Sequence, residues 1–65
     1  MVWRITEIYK TGSVAEDATP YATIEDALAI IKAHWDRGLI DKASVQDHDY
    51  NQIKWAEIKK RLAIS

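Results

Sequence analysis

Sixty-five residues make one domain at most, and a chain this short buries only about 60% of the surface its unfolded form exposes, so its core has to be efficient. Apolar residues are 48% of the chain and charged residues 29%, with a net charge of -1, which excludes disordered, fibrous and low-complexity classes. There is no cysteine, so neither disulfides nor thiolate-bound zinc can reinforce the core. No apolar run approaches the roughly 18 residues of a membrane span, and Arg4, Glu7 and Lys10 interrupt the segment where a signal peptide needs an apolar stretch. The expectation is a soluble cytoplasmic protein, one compact domain over residues 1–65.

Residues 2–10 read as a strand: Trp3, Ile5 and Tyr9 alternate with Arg4, Thr6 and Lys10, and Ile8 breaks the pattern. Thr11, Gly12 and Ser13 are turn residues. Residues 14–19 are small, polar and acidic and read as a loop or a poor edge strand. Pro20 keeps the residue before it extended, and a short second strand over 19–22 can pair back on the first.

Residues 23–39 form the segment whose structure is most nearly forced. Ile24, Ala27, Leu28, Ile31 and Trp35 recur at helical spacing, and Glu25, Asp26, Lys32, Asp36 and Arg37 fall on the other side. Thr23 supplies the N-cap oxygen, with Asp26 in the first turn at the positive end of the helix dipole. Gly38 supplies the positive φ that ends a helix.

After a turn at 38–42, Val45 carries a short strand over 43–48. Residues 49–65 then fork. As a helix, they are capped by Asp49 or Asn51 and present Trp55, Ile58 and Leu62 on one face. As a hairpin, residues 52–58 return as a strand with Ile53 and Trp55 on one side. The helix is favoured by the composition from Ala56 onward. The expected fold is therefore α+β, with a two- or three-stranded antiparallel or mixed sheet packed on the 23–38 helix and a second, C-terminal helix, in the order β-(β)-α-β-α. A sheet so thin leaves a face and edges open, and a homodimer or another protein is expected to use them.

The chain has three Trp, three Tyr and no Phe, residues whose polar handles suit the margin of a core or an interface. Trp3, Trp35 and Trp55 are expected to meet as core anchors. Charge is uneven. Residues 11–50 hold eight acids against Lys32, Arg37 and Lys42, a local charge of -5, and residues 51–65 hold Lys54, Lys59, Lys60 and Arg61 against Glu57, or +3.

Catalytic and ligand signatures are sparse. Asp47, His48 and Asp49 have metal-ligand chemistry, but consecutive strand residues point to opposite sides, and two histidines without cysteine supply few preferred ligands. His34 reads as a boundary residue of the first helix. Glu25 and Asp26 diverge, and the two isolated glycines cannot cradle a phosphate. No cofactor, metal or catalytic residue is expected. The reading is a non-enzymatic protein-binding module acting through a sheet edge or an aromatic patch, with Tyr21, Tyr50 and Trp55 in the contact and Lys59, Lys60 and Arg61 as its rim. The alternative is an accessory nucleic-acid binder using the basic C-terminal helix, although a pI near 6.0 is far from the usual basic footprint.

Overall fold

Alternation in the first strand and helical spacing after Thr23 set the two layers of the molecule. The computed structural model describes residues 2–64, in the order β1 (Trp3–Tyr9), β2 (Val14–Tyr21), α1 (Ile24–Asp36), β3 (Ile40–Asp47), β4 (Gln52–Ile53) and α2 (Trp55–Leu62). The strands form one antiparallel sheet with spatial order β2-β1-β3-β4. Among the described residues, no helix is long and apolar enough to cross a membrane.

The α+β class and both helices agree with the sequence reading, but the sheet has four strands rather than two or three. Gln52–Ile53 adds the fourth strand, and the second strand is longer than the expected 19–22. Residues 14–19 belong to β2, whose register on β1 runs from Ile8↔Val14 to Ile5↔Asp17 and resumes at Trp3↔Tyr21. Tertiary pairing overrides the weak strand preference of Ala15, Glu16 and Asp17. Between the last two pairs, Arg4 alone faces three residues of β2, a bulge that accommodates Pro20 on an edge strand, where its missing N–H is not needed. Asp17 Oδ1 accepts the Thr19 N–H at 2.9 Å and Asp17 Oδ2 accepts the Tyr21 hydroxyl, so one carboxylate ties both sides of the bulge.

The fourth strand lies in the fork after residue 48, which resolves as both alternatives in succession. Gln52 and Ile53 return beside Gln46 and Val45, and the helix begins only at Trp55. Neither Asp49 nor Asn51 caps it. The N-cap is Lys54, whose carbonyl accepts the N–H groups of Glu57 and Ile58 and whose side chain makes no cap bond. Asn51 is unavailable because Asp47 captures it, as described below.

Both helices pack on one side of the sheet. Ile5 from β1, Ile40, Ala43 and Val45 from β3, Ala27, Leu28 and Ile31 from α1 and Ile58 from α2 form a single buried cluster. The Cα extents of 29 × 24 × 16 Å are too thin in the last direction for a third layer, given the roughly 10 Å between packed layers. At the start of α1, Thr23 Oγ1 accepts the Asp26 N–H at 3.1 Å, and Gly38 ends the helix at φ 71° with its N–H on the Trp35 carbonyl. Trp35 and Trp55 join the two helices, with ring centroids 5.4 Å apart and planes tilted 50°. Trp3 does not join them. It sits at the far end of β1, opposite Tyr21 on one side and Asp47 on the other, because a seven-residue strand separates its ends by about 20 Å.

Ile58 is fully buried, and its packing is what docks α2. Ile58→Ala should cost about 2–5 kcal/mol, a large part of the roughly 3–10 kcal/mol expected of a domain this size. Urea unfolding measures it, and a loss under about 1 kcal/mol would show that α2 is not held to the core.

Candidate functional site

With both helices on one side, the opposite face of the sheet is left uncovered. Its residues follow from alternation and register: Arg4, Thr6 and Ile8 on β1 lie beside Gln46, Ser44 and Lys42 on β3, flanked by Glu16 and Val14 on β2 and Gln52 on β4. Gln52 Nε2 donates to Ser44 Oγ at 3.3 Å across this face. Asp41 is the extra residue where the β1–β3 register shifts, between Tyr9↔Ile40 and Ile8↔Lys42, and stands outside the alternation.

Two shallow grooves cross the face. One, of about 330 Å³, opens at the β2 bulge and is lined by Arg4, Ile5, Thr6, Glu16, Asp17 and Gln46. The other, of about 230 Å³, runs over Thr6, Ile8, Ser44 and Gln52 to Trp55, with Lys42 and Lys54 at its sides. Thr6 lines both, so the grooves adjoin at that residue. Three cations stand on or beside the face, with two carboxylates, Glu16 and Asp17, both at the first groove. Among the described residues none of Arg4, Lys42 and Lys54 takes part in an ion pair.

The sheet's other face holds a polar cluster that sequence reasoning missed. Glu7 is only 3% exposed, and its Oε2 lies 2.6 Å from Nδ1 of His34 on α1. The signal was present: Glu7 occupies an inward position in the Trp3, Ile5, Tyr9 series, and a carboxylate there requires a partner. His34 is therefore more than a boundary residue, since it satisfies a buried acid 27 residues away. The pair ties α1 to β1.

Asp17 and Tyr21 lie on the same side of the sheet. The hydrogen bond from Tyr21, then that from the Thr19 N–H, hold the Asp17 carboxyl below its ordinary range against the opposing effect of burial. The same bond raises the Tyr21 hydroxyl, and burial adds to the rise.

Asp47 builds the loop between β3 and β4. Its burial alone would push its pKa up, but the Asn51 N–H, the Asn51 side-chain amide and the Asp49 N–H outweigh that and hold it below the ordinary carboxylate range. Its oxygens are thus committed to turn amides. His48 and Asp49 are exposed and pair at 3.3 Å. Among the described residues, no group of three or more His, Asp and Glu side chains converges as a metal site.

This loop repeats the geometry of the first hairpin. In the β1–β2 turn, Tyr9 N–H donates to Ser13 and Gly12 N–H returns to Tyr9. In the β3–β4 turn, Asp47 N–H donates to Asn51 and Tyr50 N–H returns to Asp47. The position held by Gly12 at φ 92° is held by Tyr50 at φ 65°, a left-handed conformation that a bulky residue adopts only at a cost. The Tyr50 side chain is 78% exposed.

The residues expected to form one contact surface are therefore distributed. Tyr21 is half-buried on the β2 edge with its hydroxyl engaged by Asp17. Tyr50 projects from the β3–β4 loop, and Trp55 is half-buried at the start of α2, lining the second groove. Lys59, Lys60 and Arg61 occupy the last turn of α2, where Arg61 Nε lies 3.6 Å from Glu57. The structure brings Trp55 to the open face and sets Tyr21 at the opposite edge of the sheet. Comparison with protein families, with characterised proteins and with solved structures finds no match for this chain.

Two predictions test the polar groups. His34→Ala, leaving Glu7 buried without its partner, should lose about 1–3 kcal/mol, and the paired change Glu7→Leu with His34→Leu should recover most of it or exceed the parent. A neutral His34→Ala in urea unfolding would remove the contact from the list of stabilising ties.

The pH dependence of folding has a definite sign at each end. Asp17 and Asp47 titrate lower in the folded state than in the unfolded chain, so their contribution is present above about pH 4 and disappears as pH falls through the folded values. Tyr21 titrates higher when folded, so its contribution is present below about pH 10 and disappears as pH rises further. Thermal unfolding followed across pH should show this plateau, with a shallower acid limb in Asp17→Asn/Asp47→Asn. Parallel acid limbs in the two proteins would refute the assignment.

Proposed function

We propose that this protein is a small non-enzymatic module that binds another protein through the uncovered face of its sheet, a second copy of the chain being one form such a partner can take. The observation that carries the reading is the one-sided packing of both helices, which leaves two adjoining grooves lined by hydroxyl, amide and cationic side chains around Ile8 and the edge of Trp55. Polar groups fixed on a rigid sheet give orientation, and the apolar floor gives contact area. Tyr50 supports the reading. A tyrosine held where the other hairpin uses glycine is costly to the fold, and such local cost is a mark of a side chain kept for contact.

The grooves are open and shallow, and the ionisable groups of the helix-side cluster are spent on one another. That arrangement favours binding over catalysis. The second reading is nucleic-acid binding. It is favoured by the same Arg, Lys, Thr, Ser and Gln set, which is the chemistry of phosphate and sugar contacts. It is opposed by the net charge of -1 and by the open face itself, where among the described residues no strand puts an aromatic ring for bases to stack on. The basic last turn of α2 adds little, because Arg61 is already shared with Glu57.

Affinity capture from the native cell separates these readings. The chain and an Ala29→Arg control on the exposed side of α1 should retain the same protein. Thr6→Arg/Ser44→Arg should lose it roughly tenfold or more with little change in melting temperature. Tyr50→Gly should melt higher, by about 1 kcal/mol of relieved strain, yet retain less. Equal retention by all four proteins would overturn the proposal, and recovery of nucleic acid alone would install the second reading.

A further inference from the structure

We infer that the occupant of the open sheet face is an extended, acidic protein segment carrying an apolar side chain between its carboxylates. This inference rests on the reading of that face as a protein-docking surface and specifies the chemistry of what docks there. The chain is acidic overall, at -1, yet Arg4, Lys42 and Lys54 stand on or beside this face against Glu16 and Asp17 at the first groove and no carboxylate at the second, and among the described residues none of the three is in an ion pair. A cationic surface on an acidic protein attracts acidic partners selectively and repels further copies that approach with their own basic face.

Shape supplies the rest. The two grooves meet at Thr6, so a chain lying over Thr6 runs from Arg4 and Gln46 at one end to Lys42 and Lys54 at the other. The second groove has Ile8 and Trp55 as its apolar surface with a lysine on each side. That is a seat for one hydrophobic side chain whose flanking carboxylates reach the lysines. Gln46, Gln52 and Ser44 between the cations offer donors and acceptors to an extended backbone. A duplex fits this surface less well, because three cations can neutralise only a few phosphates and the acidic remainder of the molecule opposes the approach.

The probe is a capped synthetic peptide with one leucine between pairs of Asp and Glu, titrated into the isotopically labelled full chain and followed by backbone amide shifts. Expected are shifts centred on Thr6, Ile8, Ser44 and Gln52, quenching or displacement of tryptophan emission, and affinity that falls steeply as salt is raised from about 50 to about 500 mM. Lys42→Glu/Lys54→Glu should weaken binding roughly tenfold or more while its thermal unfolding stays near that of the parent. Parallel titrations use the lysine-substituted peptide and a DNA duplex.

Three outcomes overturn the inference. Binding of the lysine peptide to the same face, with the acidic one silent, leaves the docking surface standing and removes its acidic occupant. A duplex that shifts these amides at lower concentration than the peptide replaces the occupant with nucleic acid. Concentration-dependent shifts of the same amides without any probe assign the face to a second copy. Silence of every probe, or shifts confined to α1, fails the docking reading itself.

Discussion

Burial of Ile5, Ile31, Ile40, Val45 and Ile58 between the sheet and a single layer of helices is the constraint on which everything else depends. With 65 residues there is material for one apolar interior, and it is consumed on one side of the sheet. The second side must then remain polar enough for water. Arg4, Thr6, Ser44 and Gln46 meet that need, with Ile8 as the exception among the face residues of the two central strands. Economy of core and an uncovered sheet face are thus one fact seen from two sides.

The polar ties inside the helix-facing layer follow from the same economy. At the inward position of Glu7 the chain uses a carboxylate satisfied by His34 instead of a hydrophobe. Such a pair contributes little net stability compared with apolar packing, but it fixes how α1 lies on β1, since any other seating would leave a charge buried alone. Asp17 and Asp47 act locally in the same spirit. One closes the β2 bulge and the other closes the β3–β4 loop, each by offering its oxygens to N–H and O–H groups that the ladder has left over.

Legibility in the sequence varied with the range of the interaction. The α1 stripe, its Thr23 cap and its Gly38 stop are encoded within a few residues of where they act, and the structure places them as expected. For residues 14–19 the edge-strand alternative is the one that forms, and it could not be chosen over a loop locally, because its strand character comes from pairing with β1 rather than from Ala15, Glu16 and Asp17 themselves. The 49–65 fork could not be decided locally, since a two-residue strand and an eight-residue helix follow each other there and each satisfies half of the pattern. The set Tyr21, Tyr50 and Trp55 was chosen by residue type, and only strand order reveals that Tyr21 lies across the sheet from the other two.

Composition and periodicity alone determined that this chain makes one small α+β domain around an amphipathic helix, because apolar spacing is a local property that any compact state must respect. Tertiary structure alone decided that both helices share a side, that Glu7 meets His34, and that Arg4, Lys42 and Lys54 stand on one surface. Those facts depend on which strands become neighbours, and neighbours in a sheet are selected by the global burial of apolar faces rather than by anything written beside them in the chain.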